Sequence, residues 1–116
     1  MVMILWHNPN CSKSRAAFEA LDEKDIKFTS REYLKDIPSK DELIEVINLL
    51  NLNSPKDIMR TKEDKYTELN LLDENTSNDT LLQAMINFPI LIERPIAINN
   101  GKAAIGRPLE NILEII

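Results

Sequence analysis

The residue with the most chemistry to offer occurs once: Cys11 is the single cysteine among 116 residues. It follows the apolar run Met1–Trp6 and the polar loop His7-Asn8-Pro9-Asn10, where a helix is expected to begin. Unpaired backbone N–H groups and the positive end of the dipole at a helix N-terminus stabilise an anion. A thiol in that position ionises at a pKa of roughly 3.5–7.5 instead of about 8.5, which makes it a nucleophile at neutral pH. Lys13, Arg15 and His7 add positive charge nearby, and His7, at a strand end beside the sulfur, is expected to act on it electrostatically. A lone cysteine can also be a small buried hydrophobe. The polar neighbours Asn8, Asn10, Ser12, Lys13 and Ser14 favour an exposed loop and a reactive sulfur.

Cys11-Ser12-Lys13-Ser14 has the form Cys-x-x-Ser. With serine where a dithiol enzyme has its second cysteine, no internal disulfide can form. Any mixed intermediate on Cys11 must then be resolved by a thiol from another molecule. Ser14 is placed to donate a hydrogen bond to the sulfur.

Three arginines, Arg60, Arg94 and Arg107, each lie near the end of an apolar segment rather than inside a charged run. Guanidinium groups bind tetrahedral oxyanions through forked hydrogen bonds that lysine cannot reproduce. Spacing alone leaves open an anion site or three salt-bridged surface residues. Arg94-Pro95 precedes the first strand of a hairpin and Gly106-Arg107-Pro108 follows the second, so Arg94 and Arg107 should be neighbours. The Cys-x5-Arg loop of low-molecular-weight tyrosine phosphatases is excluded, because Ala17 occupies its arginine position and Arg15 comes too early.

The elements that must position these residues can be read from periodicity. Met1–Trp6 reads as a central strand buried on both faces. A helix from near Cys11 carries Ala17, Ala20 and Leu21 on one face, and Ile26–Ser30, extending towards Tyr33, reads as a parallel strand. Ser39-Lys40-Asp41-Glu42 is a capping box opening a helix with Leu43, Ile47 and Leu50 on one stripe. Ser54-Pro55 starts a helical turn towards Met59, residues 61–72 read as loop and short helix, and Thr76–Asp79 starts a helix that ends before Pro89. That last helix should turn Leu81, Leu82, Met85 and Ile86 inward. Asn100-Gly101 between two short apolar runs signals a tight hairpin. Pro108 suits the first turn of a final helix with Leu109, Ile112, Leu113 and Ile116 inward. The order is that of an α/β, thioredoxin-like fold: a mixed central sheet with a helical insertion between its βαβ and ββα halves, in one domain spanning residues 1–116. In that fold a cis-proline before the hairpin strand faces the cysteine, a position held here by Pro95.

Bulk properties narrow the partners. Net charge is −5, from 19 acidic and 14 basic residues, which disfavours nucleic acid and anionic membranes as partners. One cysteine and one histidine leave no set for a structural metal. No apolar stretch approaches the roughly 20 residues of a membrane span. No secretory signal is visible at the start, so a cytoplasmic protein is expected.

Residues His7-Asn8-Pro9-Asn10-Cys11-Ser12-Lys13-Ser14-Arg15 resemble the HNPxCxxSR signature of the glutaredoxin-coupled arsenate reductases, the ArsC family. The likeness continues through Leu34, Pro38–Leu43, Met59-Arg60, Tyr66, Phe88–Ile96 and Gly106-Arg107-Pro108, so it spans essentially the whole chain. Met59–Glu63 and Asn100–Ala103 look most like its YfgD-type branch. The resemblance implies that Cys11 attacks arsenate, with Arg60, Arg94 and Arg107 holding the oxyanion and His7, Ser14 and Arg15 completing the catalytic loop. It implies glutathione as co-substrate, glutaredoxin as the final reductant, arsenite as product, no tightly bound cofactor, and a monomer. The same residues would suit a glutathione-dependent reductase of another substrate. The family resemblance also extends to Spx-type regulators, which bind RNA polymerase without catalysis. Those typically carry Cys-x-x-Cys, which Ser14 breaks.

Overall fold

The computed structural model describes residues 3–116. They form two compact units, one running to Asp36 and resuming over Arg94–Ile116, the other comprising Ile37–Glu93.

The first unit is built on four short strands. β1 (Met3–Trp6) leads into helix α1 (Ser12–Glu23) and β2 (Phe28–Arg31). After the second unit come β3 (Ile96–Asn99), β4 (Lys102–Ile105) and helix α5 (Glu110–Leu113). The sheet order is β2-β1-β3-β4. β1 runs parallel to β2, with Met3 opposite Phe28, and antiparallel to β3, with Leu5 opposite Ala97. β3 and β4 form the expected hairpin, with Asn99 opposite Lys102. Its turn places Asn100 at φ 49° and Gly101 at φ 75°, the left-handed pair such a turn demands. The mixed sheet and the βαβ and ββα halves are those the sequence predicts.

Met3 and Leu5 of β1, Ala17 and Leu21 of α1, Ala97 and Ala104 of the hairpin and Ile112 of α5 make the core of this unit. Phe18, Phe28 and Ile115 pack against it. β1 is internal to the sheet yet not buried on both faces, since Ile4 is 37% exposed. β2 starts at Phe28, later than expected, because residues 24–27 are used to end α1. Asp25 takes a left-handed conformation (φ 56°), and the Ile26 N–H returns to the Leu21 carbonyl at 3.1 Å. Asn51 and Asn70 end two later helices with the same bond, from Leu52 to Ile47 and from Leu71 to Tyr66. The chain has two glycines, and Asn and Asp are the residues that best replace glycine at such caps.

The final helix corrects the sequence reading. Pro108 precedes α5 instead of opening it, and the Arg107–Pro108 peptide bond is cis, as is Arg94–Pro95. Ile116 is 46% exposed, and Ile115 packs on the core in its place. The Asn99 side-chain amide donates to the Ile115 carbonyl at 2.7 Å and holds the tail in that turn.

Gly106 is buried and donates to the Pro95 carbonyl at 2.8 Å. A Cβ there would lie 2.7 Å from Ile112 Cδ1 and 2.7 Å from Pro95 Cγ. Both neighbours are packed, so Gly106→Ala should cost about 1–3 kcal/mol, read as a lower urea midpoint. An unchanged midpoint would show that this contact gives way freely.

The second unit contains α2 (Lys40–Leu49), α3 (Asp64–Glu68) and α4 (Asn78–Asn87), with 3-10 turns at Pro55–Ile58 and Pro89–Leu91. The capping box of α2 is complete: Ser39 Oγ accepts from the Glu42 N–H, and the Glu42 carboxylate accepts from the Ser39 N–H. Ser54 caps the first 3-10 turn and Ser77 caps α4. α2 buries Leu43, Val46 and Ile47, with Val46 in the place expected for Leu50. α4 buries Leu81, Leu82, Ala84 and Met85, and Ile86 is half-buried. Met59 and Ile92 pair as an antiparallel bridge, flanked by Arg60 N–H to Leu91 O and Glu93 N–H to Ile58 O, both 2.7 Å.

Candidate active site

Cys11 is the residue on which α1 begins, in an extended conformation (φ −107°, ψ 124°). The loop before it is held by its own side chains. Asn8 Oδ1 accepts from the Asn10 N–H at 3.0 Å, and the Asn8 carbonyl accepts from the Cys11 N–H at 3.0 Å. Arg15 Nη1 donates to the Pro9 carbonyl at 3.0 Å, so Arg15 braces the loop from its outer side. Asn8 was not singled out in the sequence, although an Asn-Pro pair is a turn signal in its own right.

The sulfur is less exposed than its polar neighbours suggest: Cys11 keeps 8% of its surface. Burial alone would raise the thiol pKa. It is outweighed by the Ser14 backbone N–H, the charge of Arg94, the Lys13 N–H and a hydrogen bond from the Arg94 side chain, and the thiol is held below its ordinary range. Neither backbone group closes a full capping bond to the sulfur, so their effect is that of the helix terminus as a whole.

Arg107 brings its Nη2 to 3.9 Å from Cys11 Sγ and donates from Nε to the Arg94 carbonyl at 2.9 Å. The two hairpin-end arginines are therefore neighbours, as their places in the sequence predicted, and Arg107 also reaches the cysteine. Arg94 is half-buried and Pro95, behind its cis bond, is buried. Arg60 belongs to the second unit, where it is ion-paired with Glu63.

His7 and Ser14 depart from expectation. The Ser14 hydroxyl does not serve the sulfur; it lies 2.6 Å from His7 Nδ1 and accepts from the Asn8 N–H at 2.9 Å. His7 is 7% exposed and its ring packs 5.0 Å from that of Phe18. Burial lowers its pKa below the usual 6.5, Glu32 opposes this and Arg15 adds to it. His7 is therefore neutral at pH 7 and contributes no positive charge to Cys11. A neutral ring lets Ser14 donate to Nδ1 while accepting from Asn8, which ties β1, the loop and the first turn of α1 together.

The sign of the resulting pH effect is fixed. As pH falls through 6.5 the unfolded chain takes up a proton that folded His7 resists, so stability falls until the folded ring also protonates. Cys11, whose thiol is also held low, adds a slope of the same sign, so the share due to His7, the chain's one histidine, is the difference between the wild type and a His7 variant. The urea midpoint should decline from pH 7.5 to 5, and His7→Gln should flatten the decline. A midpoint rising over this interval would contradict a buried neutral ring.

Among the described residues no cluster of His, Cys, Asp and Glu could hold a metal ion, and no helix is long and apolar enough to cross a membrane.

A cysteine opening the helix of a βαβ unit, set beside a hairpin entered through a cis-proline, defines a thioredoxin-like protein with a single thiol. The sequence model of the ArsC family matches residues 6–115. An arsenate reductase of Neisseria meningitidis is 48% identical over 112 residues, 97% of this chain and 96% of that protein. Escherichia coli YfgD, named as uncharacterized, is 45% identical over 97% of this chain and 94% of its own. The solved structure of an arsenate reductase from Vibrio cholerae superposes with a TM-score of 0.96 at 45% identity, covering 100% of this chain and 98% of that one. The chain belongs to the ArsC family.

Proposed function

We propose that this protein is an arsenate reductase in which Cys11 is the nucleophile. The observation that carries the reading is one cluster: a thiol of lowered pKa at the start of α1, with Arg107 Nη2 at 3.9 Å and the charge of Arg94 upon it. A thiolate among guanidinium groups can receive a tetrahedral oxyanion whose oxygens take the forked donors as the sulfur attacks. The names of the Neisseria and Vibrio relatives supply the element, arsenic.

In this scheme the Cys11 thiolate bonds to arsenic and one arsenate oxygen leaves as water. Glutathione displaces a second oxygen and bonds to the same arsenic. A glutaredoxin thiolate then attacks the glutathione sulfur, forming a mixed disulfide and leaving the electron pair on arsenic, which passes from As(V) to As(III). Water finally releases arsenite from Cys11. Both electrons come from outside thiols, in keeping with a chain that has no second cysteine. Arg94 and Arg107 bind the oxyanion, and Arg60 joins them in this proposal on the strength of the family resemblance. His7, Ser14 and Arg15 are positioning residues that fix the loop before Cys11.

The test is NADPH oxidation by purified protein coupled to glutathione, glutathione reductase and glutaredoxin. Oxidation should require arsenate. Its absence under conditions where a known arsenate reductase turns over would refute the assignment.

A further inference from the structure

Arg60 already holds an anion: its guanidinium is ion-paired with the carboxylate of Glu63, three residues on. The backbone builds this pair. The Glu63 N–H donates to the Arg60 carbonyl at 3.1 Å, closing a turn that brings the two side chains together. Arg60 is pinned by its own N–H, which donates to the Leu91 carbonyl at 2.7 Å, and by the Met59–Ile92 bridge beside it. Its main chain is therefore fixed, and the guanidinium changes partner by side-chain rotation alone. Glu63 is the N-cap residue of α3, yet its side chain makes no capping bond there. The carboxylate serves the guanidinium instead of the helix. The two side chains keep 26% and 23% of their surface, so this pair is more enclosed than Lys65–Glu68 on the helix that follows, at 36% and 59%.

We propose that Glu63 is an internal counter-ion of Arg60, which an incoming tetrahedral oxyanion displaces, and that it thereby sets the affinity of the anion site. This rests on the place given to Arg60 in the proposed function. A tetrahedral oxyanion offers the planar fork two oxygens, as the carboxylate does, and carries more charge. It can therefore take the guanidinium from Glu63, at a cost in affinity equal to the pair it breaks. Arsenite leaves as an uncharged acid and has no such pull, so Glu63 recovers Arg60 as the product forms.

The test reads anion binding without turnover, as the concentration of phosphate or arsenate that halves the rate of Cys11 alkylation by iodoacetamide. Glu63→Gln keeps the length of the side chain and removes its charge. It should lower that concentration about threefold, the size of one partly exposed ion pair. Arg60→Ala should raise it, and Glu63→Gln added to Arg60→Ala should change nothing further, because the carboxylate then has no guanidinium to hold. Glu68→Gln, the same charge change within α3, should leave the wild-type value unaltered. An unchanged or higher value in Glu63→Gln overturns the proposal, as does an equal gain in the Arg60→Ala background or in Glu68→Gln. Any of these with arsenate turnover intact fails this proposal alone. The expected pattern in a protein that does not turn over arsenate fails only the arsenate reading. If neither anion protects Cys11 in any of the proteins, the anion site falls and this proposal falls with it.

Discussion

Cys11→Ser should abolish arsenate-dependent NADPH oxidation while leaving the protein folded. A serine hydroxyl at this position stays protonated at neutral pH, and the chain has no other thiol to take its place. Removing the nucleophile of an enzyme that works through a covalent intermediate typically costs about 10⁴-fold or more in rate. The substitution also carries its own folding control. Cys11 is the N-cap of α1 and makes no side-chain capping bond, whereas serine is among the favoured residues there. The urea midpoint should therefore hold or rise as activity disappears. A variant keeping more than about a hundredth of the wild-type rate would rule out Cys11 as the group that bonds to arsenic.

The second large effect is expected at Arg94. Its charge is the strongest side-chain influence lowering the Cys11 pKa, and its guanidinium also hydrogen-bonds the sulfur. Arg94→Ala removes the charge and the fork together and should reduce kcat/KM for arsenate about 10²–10³-fold, the usual loss for one oxyanion donor. Arg94→Lys keeps the charge without the planar fork. It should fall between wild type and Arg94→Ala in kcat/KM, while holding the Cys11 pKa near the wild-type value. Steady-state kinetics and alkylation rates on the three proteins separate the two contributions. Equal kcat/KM in the wild type and Arg94→Lys would show that the forked hydrogen bonds are not used.

What the sequence disclosed and what it hid divide along physical lines. The sheet, the hairpin and the capped helices were legible because each is fixed by neighbours in sequence: Asn100-Gly101 for the turn, Ser39 with Glu42 for the cap, and short apolar runs for the strands. The nearness of Arg94 and Arg107 followed from the hairpin, since its two ends must meet. Burial was not legible in the same way. Cys11, Ser14 and His7 sit among polar letters, yet all three are buried, because the loop folds its polar atoms onto one another through Ser14 and Asn8. That closure turned a presumed cationic histidine into a neutral one and redirected the Ser14 hydroxyl from sulfur to imidazole. The last helix misled for a related reason. Its apolar spacing fitted a longer helix, but Asn99, sixteen residues before Ile115, captures the tail.

The ionisation of Cys11 can be measured directly, as the pH dependence of its alkylation by iodoacetamide with and without arsenate. Only the thiolate reacts, so a lowered pKa should keep the rate high at pH 7 and move its fall-off to lower pH, below the ordinary thiol range. Arsenate, occupying the guanidinium groups beside the sulfur, should slow the reaction. A rate that climbs only through the ordinary thiol range, and that arsenate leaves untouched, would mean that Cys11 is an ordinary buried thiol with no anion site beside it.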